Sequence, residues 1–265
     1  MKLGDESRCR LIGMVHLDAL PGSPNWSGEM GPLLDAARRD AEALAEGGCD
    51  AILVENMKDL PYLKGSVYPE TVAAMTLATA KVVEEFGLPT GVQVLAAANR
   101  ESLGVALAAG ASFVRAEAFA YAHVADEGWI DASAGPMLRA RSAMKAEHIA
   151  VWADVQKKHA AHAVTQDLSL EELAHGAIFC GADALIVTGA STGHAANVDE
   201  VERLDGVGVP VVVGSGITAD NIDQYTAAHA VIVGSWLKRE GNWRAAVDLE
   251  RVRALRAARD RALEG

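Results

Sequence analysis

Eight short aliphatic runs recur along the chain, and segments with helical spacing lie between most of them. The runs begin at Leu11, Ala51, Thr90, Ser112, Ile149, Asp183, Val209 and Ala230. Strands that are apolar throughout are typical of parallel sheets buried on both faces, and their alternation with helices is typical of βα units. The sequence therefore predicts an α/β fold with eight parallel strands.

The eight strands fit two architectures, an open doubly wound sheet and a closed (β/α)8 TIM barrel. With 265 residues, 50% of them hydrophobic, the chain has the usual size and apolar content of such a barrel. The turn after the first strand, at Val15 and His16, lacks the G-x-G-x-x-G sequence of a dinucleotide-binding sheet. We therefore expect a TIM barrel, formed as a single domain over residues 1–265.

Helical spacing of apolar residues predicts the connecting helices. They are expected over residues 33–46, 71–86, 101–109, 136–146, 170–180 and 198–204. A basic amphipathic helix over residues 247–263 fits either the closing helix of the barrel or a contact with a partner or membrane, and the closing helix is the preferred interpretation.

The seventh run ends in a glycine-rich turn. Gly214, Ser215 and Gly216 follow it directly, and the next residues indicate the start of a helix. Glycines leave room for backbone N–H groups to converge on an anion, and a helix N-terminus would add partial positive charge. The eighth run ends similarly in Gly234 and Ser235. This pair of turns predicts the phosphate site that TIM barrels form after strands seven and eight.

A second Gly- and Thr-rich loop follows the sixth run. Thr188, Gly189 and Thr192 lie in it, and we expect them to contact the same ligand. The alternative is a plain connection between strand and helix.

Polar side chains stand at or just beyond nearly every strand end, where barrel enzymes carry their reactive groups. We expect five of them to transfer protons: His16, Glu55, Asp154, Lys158 and His159. Other pocket residues are expected to be Asp18, Asn56, Gln93 and Glu117. The alternatives are loop capping, and an exposed ion pair of Asp154 with Lys158 beside a solvated His159.

The same carboxylates suit a hard cation such as Mg²⁺, held by Glu55, Glu117 and Asp154 together with Asp18. They equally suit one carboxylate acting as general base while another binds a ribose hydroxyl pair. A zinc hydrolase site is disfavoured, because no histidine ends the sixth strand and no aspartate ends the eighth.

The formal net charge of −12 opposes binding to nucleic acid or to an anionic membrane surface. No stretch is long and apolar enough for an integral membrane segment, so a cytoplasmic location is expected. By analogy with other barrels, we also expect a homo-oligomer.

Several segments, in order along the chain, resemble the BtpA/SgcQ family. They are residues 12–24 (IGMVHLDALPGSP), 54–56 (VEN), 70–76 (ETVAAMT), 153–160 (ADVQKKHA), 186–189 (IVTG) with Thr192 and Gly193, and 213–218 (VGSGIT). Where the family pattern has Asn-Val-Leu-Arg-Asn-Asp after the third strand and Arg-Val-Asn in the fourth, this chain has QVLAAAN at 93–99 and RAE at 115–117. The family pattern is therefore kept around the predicted phosphate site and altered after the third strand and in the fourth strand.

The resemblance implies a TIM barrel and two alternative functions. One is an enzyme of sugar metabolism, an isomerase or lyase that uses acid/base chemistry on a small phosphorylated ligand such as a phosphosugar or a nucleotide-derived compound. The other is a non-catalytic assembly or stability factor, as in photosystem I biogenesis. The dense polar rim favours the enzyme, because a protein-binding role has no evident need for carboxylates around a phosphate loop.

Overall fold

A computed structural model describes residues 1–4, 8–189 and 195–264. All eight aliphatic runs form parallel strands of one closed barrel, which confirms the predicted TIM-barrel fold. Its strands in chain order are β1 (Arg10–His16), β2 (Ala51–Glu55), β3 (Thr90–Gln93), β4 (Phe113–Ala116), β7 (Ala150–Asp154), β9 (Ala184–Val187), β10 (Val211–Val213) and β11 (Ala230–Val233). The barrel closes between β1 and β11, where Arg10 to Gly13 pair with Ala230 to Val233.

Alternate residues of these strands point into the barrel, as the two-residue period of a strand requires. Inside, Leu53, Phe113, Trp152 and Ile186 belong to one buried apolar cluster. The Phe113 and Trp152 rings stack with their centroids 4.0 Å apart. Because this packed layer fills the barrel interior, ligands can approach only from its ends.

The outward-facing strand residues pack against helices. The α-helices are α1 (Met30–Glu46), α2 (Pro69–Phe86), α3 (Asn99–Ala109), α4 (Ala134–Ala143), α5 (Leu170–Phe179), α6 (Val198–Arg203) and α7 (Leu249–Glu264). The six connecting helices and the C-terminal helix predicted from apolar spacing are all present, with ends that differ by up to three residues. Gly48, Gly110 and Gly181, which precede β2, β4 and β9, all have positive φ, the conformation that lets a helix end and the chain turn into a strand.

The helix predicted after the glycine turn at Gly214–Gly216 is absent. That segment contains only a short 3₁₀-helix, Ile222–Tyr225. Its start is fixed instead by Asn221, whose side chain accepts a hydrogen bond from the Thr218 N–H (2.8 Å) and donates one to the Gly216 carbonyl (3.0 Å). The predicted contribution of an α-helix dipole to anion binding was therefore wrong.

Three short strands form a second, antiparallel sheet at the mouth of the barrel. β5 (His123–Ala125) and β6 (Gly128–Ile130) make a hairpin in the long connection after β4, and β8 (Ala160–Ala161) pairs with β5. The sheet therefore joins the loop after β4 to the loop after β7. None of the helices in the described ranges has the length and apolar character needed to cross a membrane.

Candidate functional site

A cavity of about 480 Å³ opens at the carboxyl ends of the barrel strands. Ligand pockets for small metabolites typically have volumes of this order. Its walls come from strand ends on both sides of the barrel, from the loop after β7 and from the β5–β6 hairpin. Side chains separated by more than 200 residues in sequence thus share one pocket.

Three polar side chains form a row across adjacent strands on one wall. In the register of the sheet, His16 pairs with Glu55 and Glu55 pairs with Gln93, so all three point into the barrel at the same height. All three are buried and line the cavity. The carbonyl oxygen of the Gln93 side chain has no hydrogen-bond partner among the described residues. A buried acceptor of this kind is costly unless a ligand or water supplies a donor.

The contacts of His16 determine which of its nitrogens carries the proton. Nδ1 lies 3.0 Å from the carbonyl oxygen of Trp243, which only accepts hydrogen bonds, so Nδ1 must be the donor. Burial, with Lys238 nearby, lowers the pKa of His16 well below its usual value and keeps the ring neutral. The Nε2 lone pair therefore faces the cavity, 3.8 Å from Glu55 Oε2, where it can accept a proton.

Two carboxyl groups on the cavity wall hold protons more readily than usual. Burial raises the pKa of Glu55, although Arg115 and Lys158 oppose the shift. Burial likewise raises the pKa of Glu117 to about 7, against the opposing charge of Lys157, whose Nζ lies 3.9 Å from Glu117 Oε2. A carboxyl group of this kind can donate a proton near neutral pH.

The structure places Asp154 differently from the prediction. Its carboxylate forms a buried two-pronged ion pair with Arg115, with Nε–Oδ1 and Nε–Oδ2 distances of 3.2 Å and an Nη2–Oδ1 distance of 3.1 Å. Arg115 lines the cavity, whereas Asp154 does not. Asp154 therefore holds the guanidinium in place, and the alternative considered from the sequence, an exposed ion pair of Asp154 with Lys158, is not formed.

The turns after β10 and β11 carry the predicted phosphate residues, and Gly214, Ser215, Gly216, Gly234 and Ser235 all line the cavity. The N–H groups of Gly216, Gly234 and Ser235 donate to no acceptor within the described ranges. Gly216 has φ +69°, which favours glycine. A Cβ at Gly234 would lie 3.1 Å from His16 Nε2, so this glycine lets the imidazole approach the wall.

Gly214 has a different role from the one predicted. Its N–H donates to the Val187 carbonyl at 2.8 Å, so this amide is not available to an anion. A Cβ here would lie 2.7 Å from Ile186 Cγ2. Close packing of β10 against β9 therefore explains the glycine.

Four predicted pocket residues lie away from the cavity lining. Asp18 is exposed and pairs with Lys58 at 2.8 Å. Asn56 accepts the Leu95 N–H at 2.7 Å and joins the ends of β2 and β3. Thr188 donates to the Gln156 carbonyl at 3.3 Å, and neither it nor Gly189 lines the cavity. Thr192 lies outside the described residues.

The loop after β7 places Lys157, Lys158 and His159 on the cavity wall, and the proton transfer expected of the last two stays a prediction. Lys157 pairs with Glu127 of the β5–β6 turn at 3.1 Å. His159 is exposed at the rim and has φ +56°. Lys157, Lys158 and Arg115 line the cavity together with the carboxyl groups of Glu117 and Glu127.

Sequence reasoning missed several lining residues, among them Arg115, Met57, Tyr62 and Trp243. For Arg115 a signal was present, because it lies two residues after Phe113 in an apolar run and so shares the inward face. The other three are in loops, where no period indicates direction.

The predicted Mg²⁺ site is not assembled. Within 1–4, 8–189 and 195–264, no three His, Cys, Asp or Glu side chains cluster so that they could hold a metal ion. Each of the carboxylates proposed for it, those of Asp18, Glu55, Glu117 and Asp154, instead faces cationic side chains of the protein.

A closed parallel barrel with its polar pocket at the carboxyl ends of the strands defines this molecule as a TIM-barrel protein. Solved structures of similar fold are KGPDC from Streptococcus mutans (TM-score 0.62, 13% identity, 97% of this chain and 99% of that one) and N-(5'-phosphoribosyl)anthranilate isomerase from Pyrococcus furiosus (TM-score 0.57, 12% identity, 96% and 99%). At such identities the likeness concerns the fold alone.

Residues 7–261 match the BtpA family, and the chain belongs to that family. It is 46% identical over 257 residues to an uncharacterized mitochondrial protein of Caenorhabditis elegans, covering 95% of this chain and 93% of that one. It is 37% identical over 250 residues to the photosystem I biogenesis protein BtpA of Synechocystis, covering 92% and 85%.

Proposed function

We propose that the protein is an acid/base enzyme of isomerase or lyase type that acts on a small phosphorylated compound, such as a phosphosugar or a nucleotide-derived metabolite. The observation that carries this proposal is the composition of one cavity. Amides of Gly216, Gly234 and Ser235 that have no acceptor among the described residues line this cavity, and proton-transfer groups line it as well.

The same cavity holds one group that can accept a proton and two that can donate one. His16 presents a neutral Nε2 lone pair, and Glu55 and Glu117 have raised pKa values. Isomerisation and many bond cleavages next to a carbonyl need one group that removes a proton and another that delivers one. The unpartnered Gln93 oxygen supplies an acceptor for a substrate hydroxyl.

Two cationic side chains line the same cavity as these amides. Arg115 and Lys158 lie on the cavity wall, and Arg115 is held rigidly by Asp154. Bound phosphate would thus meet backbone N–H groups on one side while the carbonyl end of the ligand reaches His16 and Glu55. A cavity of about 480 Å³ accommodates a compound of this size.

Ligand-induced thermal shifts test the proposal. We expect phosphosugars or inorganic phosphate to raise Tm. At a ligand concentration a hundredfold above Kd, binding should add about 2.7 kcal/mol to the free energy of unfolding. In Gly216→Ala, a Cβ forced onto a backbone at φ +69° should abolish the shift.

Gly87→Ala is the matched control, because Gly87 has φ +63° at the end of α2 and no atom within 4 Å of its Cβ position. Both variants carry similar backbone strain, so a ligand shift lost only in Gly216→Ala points to the backbone amides that line the cavity. If no phosphorylated compound shifts Tm of the unmutated protein, the proposal is wrong.

A second candidate is a non-catalytic assembly factor. The printed name of the Synechocystis relative, which is 37% identical, favours it. In that case His16→Gln and Glu55→Gln would leave the biological role intact, whereas the enzyme proposal requires both to abolish it.

A further inference from the structure

Lys158 is the one lysine on the cavity wall without a hydrogen bond or ion pair to any described residue. Its neighbour Lys157 pairs with Glu127 at 3.1 Å, and the fully buried Lys238 pairs with Asp40 at 2.8 Å. The Lys158 side chain is half-buried. The Lys158 amine thus lies on the cavity wall without a carboxylate in ion-pair distance among the described residues.

The charges around Lys158 are largely committed to other groups. Asp154 is paired with Arg115, and Glu117 accepts the Ala97 N–H at 3.2 Å and faces Lys157. Burial and the Arg115 guanidinium lower the pKa of Lys158, with Glu55 the strongest opposing charge. A larger fraction of free amine, the nucleophilic form, is therefore present near neutral pH than at a surface lysine.

We propose that Lys158 forms a Schiff base with the aldehyde or ketone carbonyl of a phosphorylated substrate whose phosphate lies on the amide wall of Gly216, Gly234 and Ser235. This inference rests on the proposed function and narrows its substrate class to phosphorylated carbonyl compounds.

The chemistry balances with groups already on the cavity wall. The Nζ lone pair attacks the carbonyl carbon, and the oxygen takes up a proton released from the amine to give a carbinolamine. The carboxyl group of Glu55 then donates a proton as the C–O bond breaks, so that water leaves and the iminium forms. His16 Nε2 can next remove a proton from the adjacent carbon, because the iminium accepts the electron pair. No oxidant or reductant is required.

Reductive trapping tests this inference directly. The protein is incubated with glyceraldehyde 3-phosphate or dihydroxyacetone phosphate and sodium cyanoborohydride, and the adduct is located by intact mass and peptide mapping. We expect a single adduct on Lys158, formed about tenfold faster than with phosphate-free dihydroxyacetone, since binding of the phosphate orients the carbonyl. Modification spread over exposed lysines, or the absence of an adduct on Lys158, would overturn the inference.

Matched variants separate the site from general amine reactivity. Lys158→Arg should lose the adduct, whereas Lys81→Arg, which alters an exposed i,i+4 pair with Glu85 on α2, should retain it. The peptide mapping that locates the adduct is done on the unmutated chain. The inference can therefore be tested even if Lys158→Arg does not fold.

The thermal shifts distinguish failure of this inference from failure of the proposed function. A phosphate-dependent shift without an adduct on Lys158 refutes the Schiff base and leaves the phosphorylated-ligand proposal standing. The absence of both a shift and an adduct refutes both.

Discussion

At the scale of single residues, the polar rim is divided between groups held by the protein and groups left to a ligand. Asp154 and Asn56 are fully engaged by Arg115 and by the Leu95 amide. The side-chain oxygen of Gln93 and the amine of Lys158 have no hydrogen-bond partner among the described residues. The sequence predicted which side chains stand at strand ends, because a strand's end and its two-residue period are local. It could not predict their partners, since Arg115 lies 39 residues from Asp154 and they meet only in the folded barrel.

Replacing Glu117 by Gln should change how stability depends on pH. Its folded pKa of about 7 lies above the usual 4.5 because of burial. Below about pH 4.5 the Glu117 carboxyl group is protonated in both the folded and the unfolded chain, so its burial does not oppose folding. As the pH rises from about 4.5 to 7, the unfolded chain loses this proton first, and the free energy of unfolding falls. Glu117→Gln removes this loss while its amide oxygen still accepts the Ala97 N–H. Urea unfolding should show the variant gaining about 2 kcal/mol relative to the unmutated protein between pH 5 and pH 8.

Glu84→Gln on the exposed side of α2 is the control for the loss of one negative charge. It should show no comparable change with pH. An equal pH response of the two variants would contradict the raised pKa of Glu117.

At the scale of elements, the periodicity of apolar residues was sufficient to predict all eight barrel strands and the six connecting helices. The antiparallel sheet of β5, β6 and β8 was missed because its strands are only two or three residues long, too short for a period to be recognised. The helix predicted after Gly216 was wrong because Asn221 closes a local turn there, a side-chain hydrogen bond that competes with helix formation.

The tight fit of β3 against β4 predicts a large effect of one methyl group. A Cβ at Gly91 would lie 2.2 Å from Phe113 Cε2, and the Phe113 ring cannot retreat because it stacks on Trp152. Gly91→Ala should lower the free energy of unfolding by about 2 kcal/mol or more. Gly104→Ala, in α3 with no atom within 4 Å of the Cβ position, should instead raise it by about 0.5 to 1 kcal/mol.

Urea denaturation midpoints of the two alanine variants measure this contrast. If Gly91→Ala proves as stable as the unmutated protein, the inner layer at Phe113 is looser than these distances require.

At the scale of the whole molecule, the barrel is a closed ring in which the first strand, β1, pairs with the last, β11. Eight strands from Arg10 to Val233 pair around it. The single-domain organisation of residues 1–265 fits this ring and stays a prediction, as do the homo-oligomer and the cytoplasmic location. For the location, the C. elegans relative that is 46% identical bears the description mitochondrial.

Closure of the ring is reinforced by Arg259 of α7, and this predicts a kinetic effect. Its guanidinium donates to Asp50 at 2.7 Å and to the Cys9 carbonyl at 3.3 Å, while Asp50 accepts the Leu11 N–H at 2.7 Å. The two contacts of Arg259 span more than 200 residues, so their loop-closure cost delays them until late in folding. Arg259→Met should therefore raise the unfolding rate about tenfold and leave the folding rate nearly unchanged.

Stopped-flow tryptophan fluorescence in urea measures both rates. Arg253→Met is the matched control on the same helix, because Arg253 is exposed and, in the part of the chain that the structure describes, its one ion pair is with Glu250, three residues away. Exposed pairs contribute little, so neither rate should change in this control. If Arg259→Met slows folding as much as it speeds unfolding, the ends of the chain already meet in the folding transition state, and ring closure is an early step.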